Sequence, residues 1–222
     1  MSAPPSPTLA VIAKAPAAGR VKTRLCPPCA PEQAAALAAA ALADTLCAVT
    51  ATPAPRRVLI LDGEPGAWLD PWRASIEVTA QRSGPFAARL AGAFADVGGP
   101  MLLIGMDTPQ VSPALLTGAL RALAAAGPDG AALGPAHDGG YWAIGLPAGA
   151  PDVFDGVPMS TSWTGRVQRE RLRELGLRCR SLRPLRDVDT YADALAVARL
   201  APRGAFAGAL RAVETARTPS AA

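Results

Sequence analysis

Short runs of branched apolar residues alternate with longer, Ala-rich stretches along the chain, and each run ends on a charged or turn-forming residue. Thr8 to Ala13 (TLAVIA), Arg57 to Leu61 (RVLIL) and Met101 to Met106 (MLLIGM) are continuously apolar over strand length, which marks strands buried on both faces. Between them lie segments with helix signals. Pro31 to Ala48 opens with Pro at the first helical position and Glu32 in the first turn, and Ser112 to Ala126 opens with a Ser cap followed by Pro113. Ser75 to Thr79 reads as a weaker strand and Pro85 to Val97 as a helix. Ala131 to Leu133 and Tyr141 to Leu146 read as strands flanking the turn residues Asp138, Gly139 and Gly140. The C-terminal third reads as a helix (Ser162 to Leu175), a strand (Arg178 to Leu185) and two helices (Thr190 to Leu200 and Gly204 to Arg217). Strands alternating with helices at this spacing predict a single α/β domain over residues 1–222: a mostly parallel sheet with helices on both faces. Residues 1–7 and 218–222 are expected to be frayed tails.

Composition removes several alternatives. Charged residues make up 18% and apolar ones 50%, too little charge and too much core-forming material for a disordered chain. The longest apolar stretch, Gln33 to Ala51, is mostly Ala and carries Asp44, which predicts a core helix in preference to a bilayer span. Four Cys in 222 residues, behind an N-terminus without a basic and then apolar signal, argue against a disulfide-stapled secreted domain. The expectation is a cytoplasmic protein with no membrane partner.

The net charge of +4 has a particular address. Lys14 to Arg24 (KAPAAGRVKTR) carries Lys14, Arg20, Lys22 and Arg24 with no acid before Glu32, so this one loop equals the charge of the whole chain. It also holds both lysines in a chain whose other cations are all Arg, and Lys and Arg differ where a compact point charge is needed. A turn containing Gly19, between a buried strand and a helix, suits phosphate: backbone N–H groups, cations and the helix N-terminus converge there. No P-loop or dinucleotide glycine spacing occurs, and a solvated surface loop is the competing reading. A charge confined to one loop predicts a small anionic ligand and no nucleic-acid surface.

In a parallel sheet ligands bind beyond the carboxyl ends of the strands, which directs attention to this loop, Asp62, Asp107 and the neighbourhood of Asp138. Asp107 directly follows a buried strand and faces the basic loop in such a topology. A carboxylate so placed suits Mg²⁺ or Mn²⁺ bridging phosphate oxygens, and an ordinary turn Asp is the alternative. Asp187 and Asp189 form a D-x-D pair; Asp189 can equally be an N-cap, with Thr190 and Asp193 in a capping-box arrangement. Asp138 to Tyr141 (DGGY) can be a two-glycine turn whose Asp bonds local backbone, or a close approach to ligand. His137 is read as a loop residue. Cys26-Pro-Pro-Cys29 lacks the further paired ligands a closed zinc site needs. Trp68 and Trp72 suggest one helical face on the core, and Arg166 to Arg186 suggests a solvated face with Glu170 and Glu174 pairing along the helix.

Four ordered motifs carry a resemblance: AKAPAAGRVKTRL (Ala13 to Leu25), GMDTP (Gly105 to Pro109), GPAHDGGYWAIGL (Gly134 to Leu146) and DVDTYADAL (Asp187 to Leu195). Together they resemble the glycosyltransferase-A superfamily, in the branch of radical-SAM/selenodomain-associated transferases described as arsenosugar-biosynthesis glycosyltransferases. The basic loop is more distantly similar to that of phospholactate guanylyltransferases. The resemblance implies a nucleotide-diphospho-sugar transferase fold. It implies catalytic roles for Asp107 and Asp138, phosphate contacts from Lys14, Gly19, Arg20, Lys22 and Arg24, and substrate contacts from Gly139, Gly140, Tyr141, Ser160 and Thr161. Metal ligation is implied for Asp107 and, by analogy with sugar-nucleotide synthetases, for Asp189. The chain departs from the family at Met159, where a Trp commonly precedes Ser-Thr.

Three functions follow as expectations. The first is metal-dependent glycosyl transfer from a nucleotide sugar to a small-molecule acceptor. The second is nucleotidyl transfer from a nucleoside triphosphate with release of pyrophosphate, which four cations in one loop would suit. The third is a non-catalytic nucleotide-binding regulatory module.

Overall fold

A computed structural model describes residues 6–149 and 151–217. Most of the expected terminal tails, residues 1–5 and 218–222, lie outside the described residues. The order of the principal elements is β1 (Thr8–Lys14), α1 (Pro31–Ala51), β2 (Arg57–Asp62), β3 (Glu77–Ala80), α2 (Phe86–Val97), β4 (Met101–Gly105), α3 (Pro113–Ala126), β5 (Gly130–Pro135), β6 (Tyr141–Leu146), α4 (Thr164–Glu174), β7 (Arg178–Ser181), α5 (Tyr191–Leu200) and α6 (Ala205–Arg217). Among the described residues these strands form one seven-stranded sheet in the order β3-β2-β1-β4-β6-β5-β7. Pairings are parallel except for those of β6, which runs antiparallel to β4 and β5. The expected α/β architecture is observed, and the reversal at β6 follows from its short turn with β5.

The alternation of side chains along β1 divides the core into layers. Leu9, Val11 and Ala13 face a cluster built with α1 and α3, whereas Ala10 and Ile12 face a cluster built with α2 and Leu172 of α4. Burial on both faces explains why β1, β2 and β4 read as unbroken apolar runs.

Helix α1 is long and apolar enough to cross a membrane by length and composition. It spends that hydrophobicity on two protein faces. Leu42, Leu46 and Val49 pack on the sheet, while Leu37 and Ala41 pack against Phe206, Leu210 and Val213 of α6 and Val197 of α5. Its one interior charge has a defined partner: the Asp44 carboxylate accepts the backbone N–H groups of Ala205 (2.8 Å) and Phe206 (2.9 Å), capping the N-terminus of α6.

Several boundaries differ from expectation. The weak strand lies at Glu77–Ala80, two residues later than Ser75 to Thr79, because Ser75 closes a turn onto Trp72. β7 stops at Ser181; beyond it only an isolated bridge pairs Leu185 with Ala136. Trp68 and Trp72 sit on a 3₁₀ helix, Ala67–Trp72, and both pack against the core beneath α1.

Candidate active site

The carboxyl ends of β1 and β4, the β5–β6 turn and the segment before α5 meet around two adjoining cavities. One, of about 460 Å³, lies over β4 and β6; the other, of about 360 Å³, lies under the loop that follows β1. Ile12, Arg24, Phe86, Gly105, Asp107 and Asp189 line both, so the two form one continuous cleft.

The basic loop lines the smaller cavity with Lys14, Arg20, Lys22 and Arg24, and α2 adds Arg89. Gly19, at φ 73°, supports the bend, and a Cβ there would meet nothing within 4 Å. Lys22 also adopts a left-handed conformation (φ 49°), which turns its side chain inward. Its ammonium lies 2.8 Å from Asp107 Oδ1 and 3.6 Å from Asp189 Oδ1, and it donates to the carbonyl of Val188. Arg24 pairs with Asp189 at 3.3 Å from the exposed side. Lys14 and Arg20 are exposed at the cavity rim.

The acidic segments are tied together through backbone. The N–H of Val188 donates to the carbonyl of Asp107 (2.9 Å), and Gln110 Nε2 donates to the carbonyl of Arg186 (2.7 Å). The arrangement brings Asp187 close to Asp107, Asp138 and Asp189. Its carboxyl is pushed up to about 8, chiefly by burial, then by the neighbouring charges of Asp107 and Asp138, with Lys22 opposing and Asp189 adding. Asp187 Oδ1 is buried without a hydrogen-bond partner, and so is the Thr108 hydroxyl. A carboxylate cluster with an unsatisfied buried oxygen is a donor set that hard divalent cations take. Among the described residues no three His, Cys, Asp or Glu side chains already converge on one ion position; the Lys22 ammonium stands between Asp107 and Asp189 instead.

Asp189 does not cap α5. Thr190 does: its hydroxyl accepts from Asp193 N at 3.2 Å, and Asp193 bonds back to Thr190 N at 3.0 Å. The capping alternative for Asp189 is therefore removed, and its carboxylate is directed to Lys22 and Arg24.

At the β5–β6 turn, Asp138 accepts the N–H of Gly140 (2.9 Å) through Oδ1, the local bond expected of a turn Asp, and it also lines the larger cavity. Gly139 is held at φ 90° against the start of α4: a Cβ would come within 1.9 Å of the Ser162 carbonyl oxygen. Gly165 N–H donates to the Gly139 carbonyl (2.8 Å), which fastens the turn to the helix. Tyr141 points into the second core cluster, where its hydroxyl donates to Gln168 Oε1 (3.3 Å) and burial raises its pKa. Ser160, in left-handed conformation at φ 59°, and Thr161 form the cavity edge next to Met159.

His137 is exposed and outside both cavities. Cys29 is buried in the cluster beneath α1, with Cys26 partly buried beside it, and burial raises the Cys29 thiol. The Arg-rich helix forms the expected exposed pairs, Arg166 with Glu170 and Arg171 with Glu174, each at 3.5 Å. Sequence reading missed Arg89, Gln81, Thr108 and the burial of Asp187. Arg89 lies mid-helix without a motif; it donates to Gln81, approaches Asp62 at 3.7 Å and lies over the Phe86 ring at 5.1 Å.

The stretch that contains β4, the DGGY turn and the Ser160–Thr161 edge has relatives. A family model described as an uncharacterized protein conserved in bacteria, DUF2064, matches residues 42–161, more than half of the chain. The chain belongs to the DUF2064 family. The DUF2064 match contains Asp107 and Asp138 but neither the basic loop nor Asp187 and Asp189. Among solved structures, a protein of Desulfovibrio desulfuricans G20, provisionally described as a nucleotide-diphospho-sugar transferase, superposes on this DUF2064 chain with a TM-score of 0.80. The two are 26% identical over 94% of this chain and 95% of that one. A nucleotidyl transferase of Methanothermobacter thermautotrophicus gives 0.60 at 16% identity (94% and 100% covered). A CMP:2-keto-3-deoxy-manno-octonic acid synthetase complexed with CTP gives 0.58 at 12% (89% and 99% covered), a likeness of fold alone. No curated protein matches the chain by sequence.

Proposed function

We propose that this chain is a metal-dependent transferase that uses a nucleotide-activated donor, with glycosyl transfer from a nucleotide-diphosphate sugar to a small-molecule acceptor as its reaction. The observation that carries the reading is the cleft itself, in which a cation-lined cavity and a carboxylate cluster meet at Asp107 and Asp189. The Desulfovibrio likeness supports the same class, and the four ordered motifs support the radical-SAM/selenodomain-associated branch.

In this reading Lys14, Arg20, Arg24 and Arg89 hold the donor's diphosphate in the smaller cavity, with Lys22 between the phosphates and the acids. Asp107 and Asp189, with Asp187 beside them, would hold Mg²⁺ or Mn²⁺ when the Lys22 ammonium that now bridges them turns to the phosphates, and the ion would neutralise charge on the departing diphosphate. The acceptor oxygen bonds to the anomeric carbon. The carbon–oxygen bond to the diphosphate breaks with its electron pair, and the acceptor's proton passes to a carboxylate, for which Asp138 at the larger cavity is positioned. Gly139 and Gly140 keep that carboxylate in place, and Ser160 and Thr161 border the acceptor.

Nucleotidyl transfer is the second reading, favoured by the five cations around the smaller cavity, which suit a triphosphate. A thermal-shift screen of nucleotides and nucleotide sugars, with and without Mn²⁺, followed by product analysis, tests both. Nucleoside diphosphate as product is expected; pyrophosphate released from a nucleoside triphosphate would overturn glycosyl transfer. Asp107→Asn is expected to remove the Mn²⁺-dependent shift and to lower turnover by about 10²–10³-fold. Unchanged nucleotide-sugar binding without metal dependence would favour a regulatory module.

A further inference from the structure

The two halves of the cleft differ in charge. The smaller cavity is lined by five cationic side chains. The larger has one, Arg24, already paired with Asp189, against the four carboxyl groups of Asp107, Asp138, Asp187 and Asp189. The larger cavity is also lined by Ile12, Phe86, Leu90, Leu103, Ile144 and Met159, all but Phe86 belonging to one apolar cluster. Two polar atoms on its lining, Thr108 Oγ1 and Asp187 Oδ1, are buried and without partners. Thr108 is only 1% exposed.

We propose that the larger cavity is the acceptor subsite and takes an unphosphorylated molecule with a compact apolar body and hydroxyl or amino groups. This rests on the transferase reading above and names the substrate class of that site. A phosphate group placed here would face carboxylates, and the one cation on this lining, Arg24, is already paired with Asp189. A neutral or cationic polar end instead satisfies the orphaned Thr108 and Asp187 oxygens, while the apolar body packs on the apolar lining. The volume, about 460 Å³, accommodates a ring-sized body with a short polar arm.

Methionine placement supplies a direct readout, since Met159 lines the larger cavity and Met106 the smaller. The full chain is labelled with [ε-¹³C]methionine, and the Met159 methyl signal is assigned through its loss in Met159→Leu. Three probes that share one apolar body are titrated in buffer alone: 2-phenylethanol, 2-phenylethylamine and 2-phenylethyl phosphate. The alcohol and the amine are expected to shift the Met159 signal saturably, with the phosphate ester needing at least tenfold more. A smaller ratio, or a Met159 signal unmoved by both the alcohol and the amine, overturns the proposal. A separate titration with uridine, cytidine, adenosine and guanosine diphosphates plus diamagnetic Mg²⁺ is expected to move Met106. If none of them moves Met106, the donor reading of the smaller cavity fails while the probe ranking at Met159 remains readable.

Discussion

Two turns bring the cleft together, and they are specified in opposite ways. The loop after β1 is open: Gly19 has free space around it, and Lys14 and Arg20 project from it with few fixed contacts. The β5–β6 turn is closed. Gly139 abuts the Ser162 carbonyl, Gly165 abuts the Gly140 carbonyl, and Gly134 lies under Trp142, whose indole N–H donates to the carbonyl of Arg183 (2.9 Å). The first turn is specified by charge and has room to adapt to an anion. The second is specified by close approach of backbone and holds Asp138 at the larger cavity.

The largest test of this contrast is Gly139→Ala. A methyl group there meets the Ser162 oxygen at 1.9 Å and takes a positive φ, so a stability loss on the order of 4 kcal/mol is expected in chemical denaturation. A loss below about 1 kcal/mol would show that the turn is not locked. Next come Lys14→Ala and Arg20→Ala, each expected to weaken nucleoside diphosphate binding about tenfold, with the melting temperature nearly unchanged. Titration calorimetry reads the affinity, and equal binding by the double variant would remove the phosphate role of the loop. The smallest effect is assigned to Gly19→Ala. Strain from its positive φ alone predicts about 1 kcal/mol, and a cost as large as that at Gly139 would erase the distinction between the turns.

The sequence is most legible where burial is uniform. β1, β2 and β4 stand out because helices cover both of their faces, and α3 begins where Ser112 and Pro113 predict, with the Ser112 hydroxyl accepting Leu115 N–H at 3.2 Å. It is least legible where a residue's role depends on distant segments. Asp187 carries no local sign that β4 and the β5–β6 turn will surround it with carboxylates. Arg89 reads as one more helix Arg until the end of β2 and the residue after β3 supply Asp62 and Gln81. The inward turn of Lys22 depends on a left-handed backbone that its local sequence does not advertise. β7 ends early because the chain beyond Ser181 leaves the ladder and keeps only single contacts with it, at Leu182, Arg183 and Leu185, a tertiary choice rather than a propensity.

Asp44 interrupts the longest apolar stretch of the chain, and in the fold its two oxygens receive the first amides of α6. That contact works as a latch on the C-terminal helix, and Asp44 itself lines neither cavity. The same charge that makes α1 a poor guest for lipid gives the last helix a fixed seat. Removing it would loosen the closing element of the domain, whose Phe206, Leu210 and Val213 share a cluster with Leu25 and Val188, the neighbours of Arg24 and Asp189.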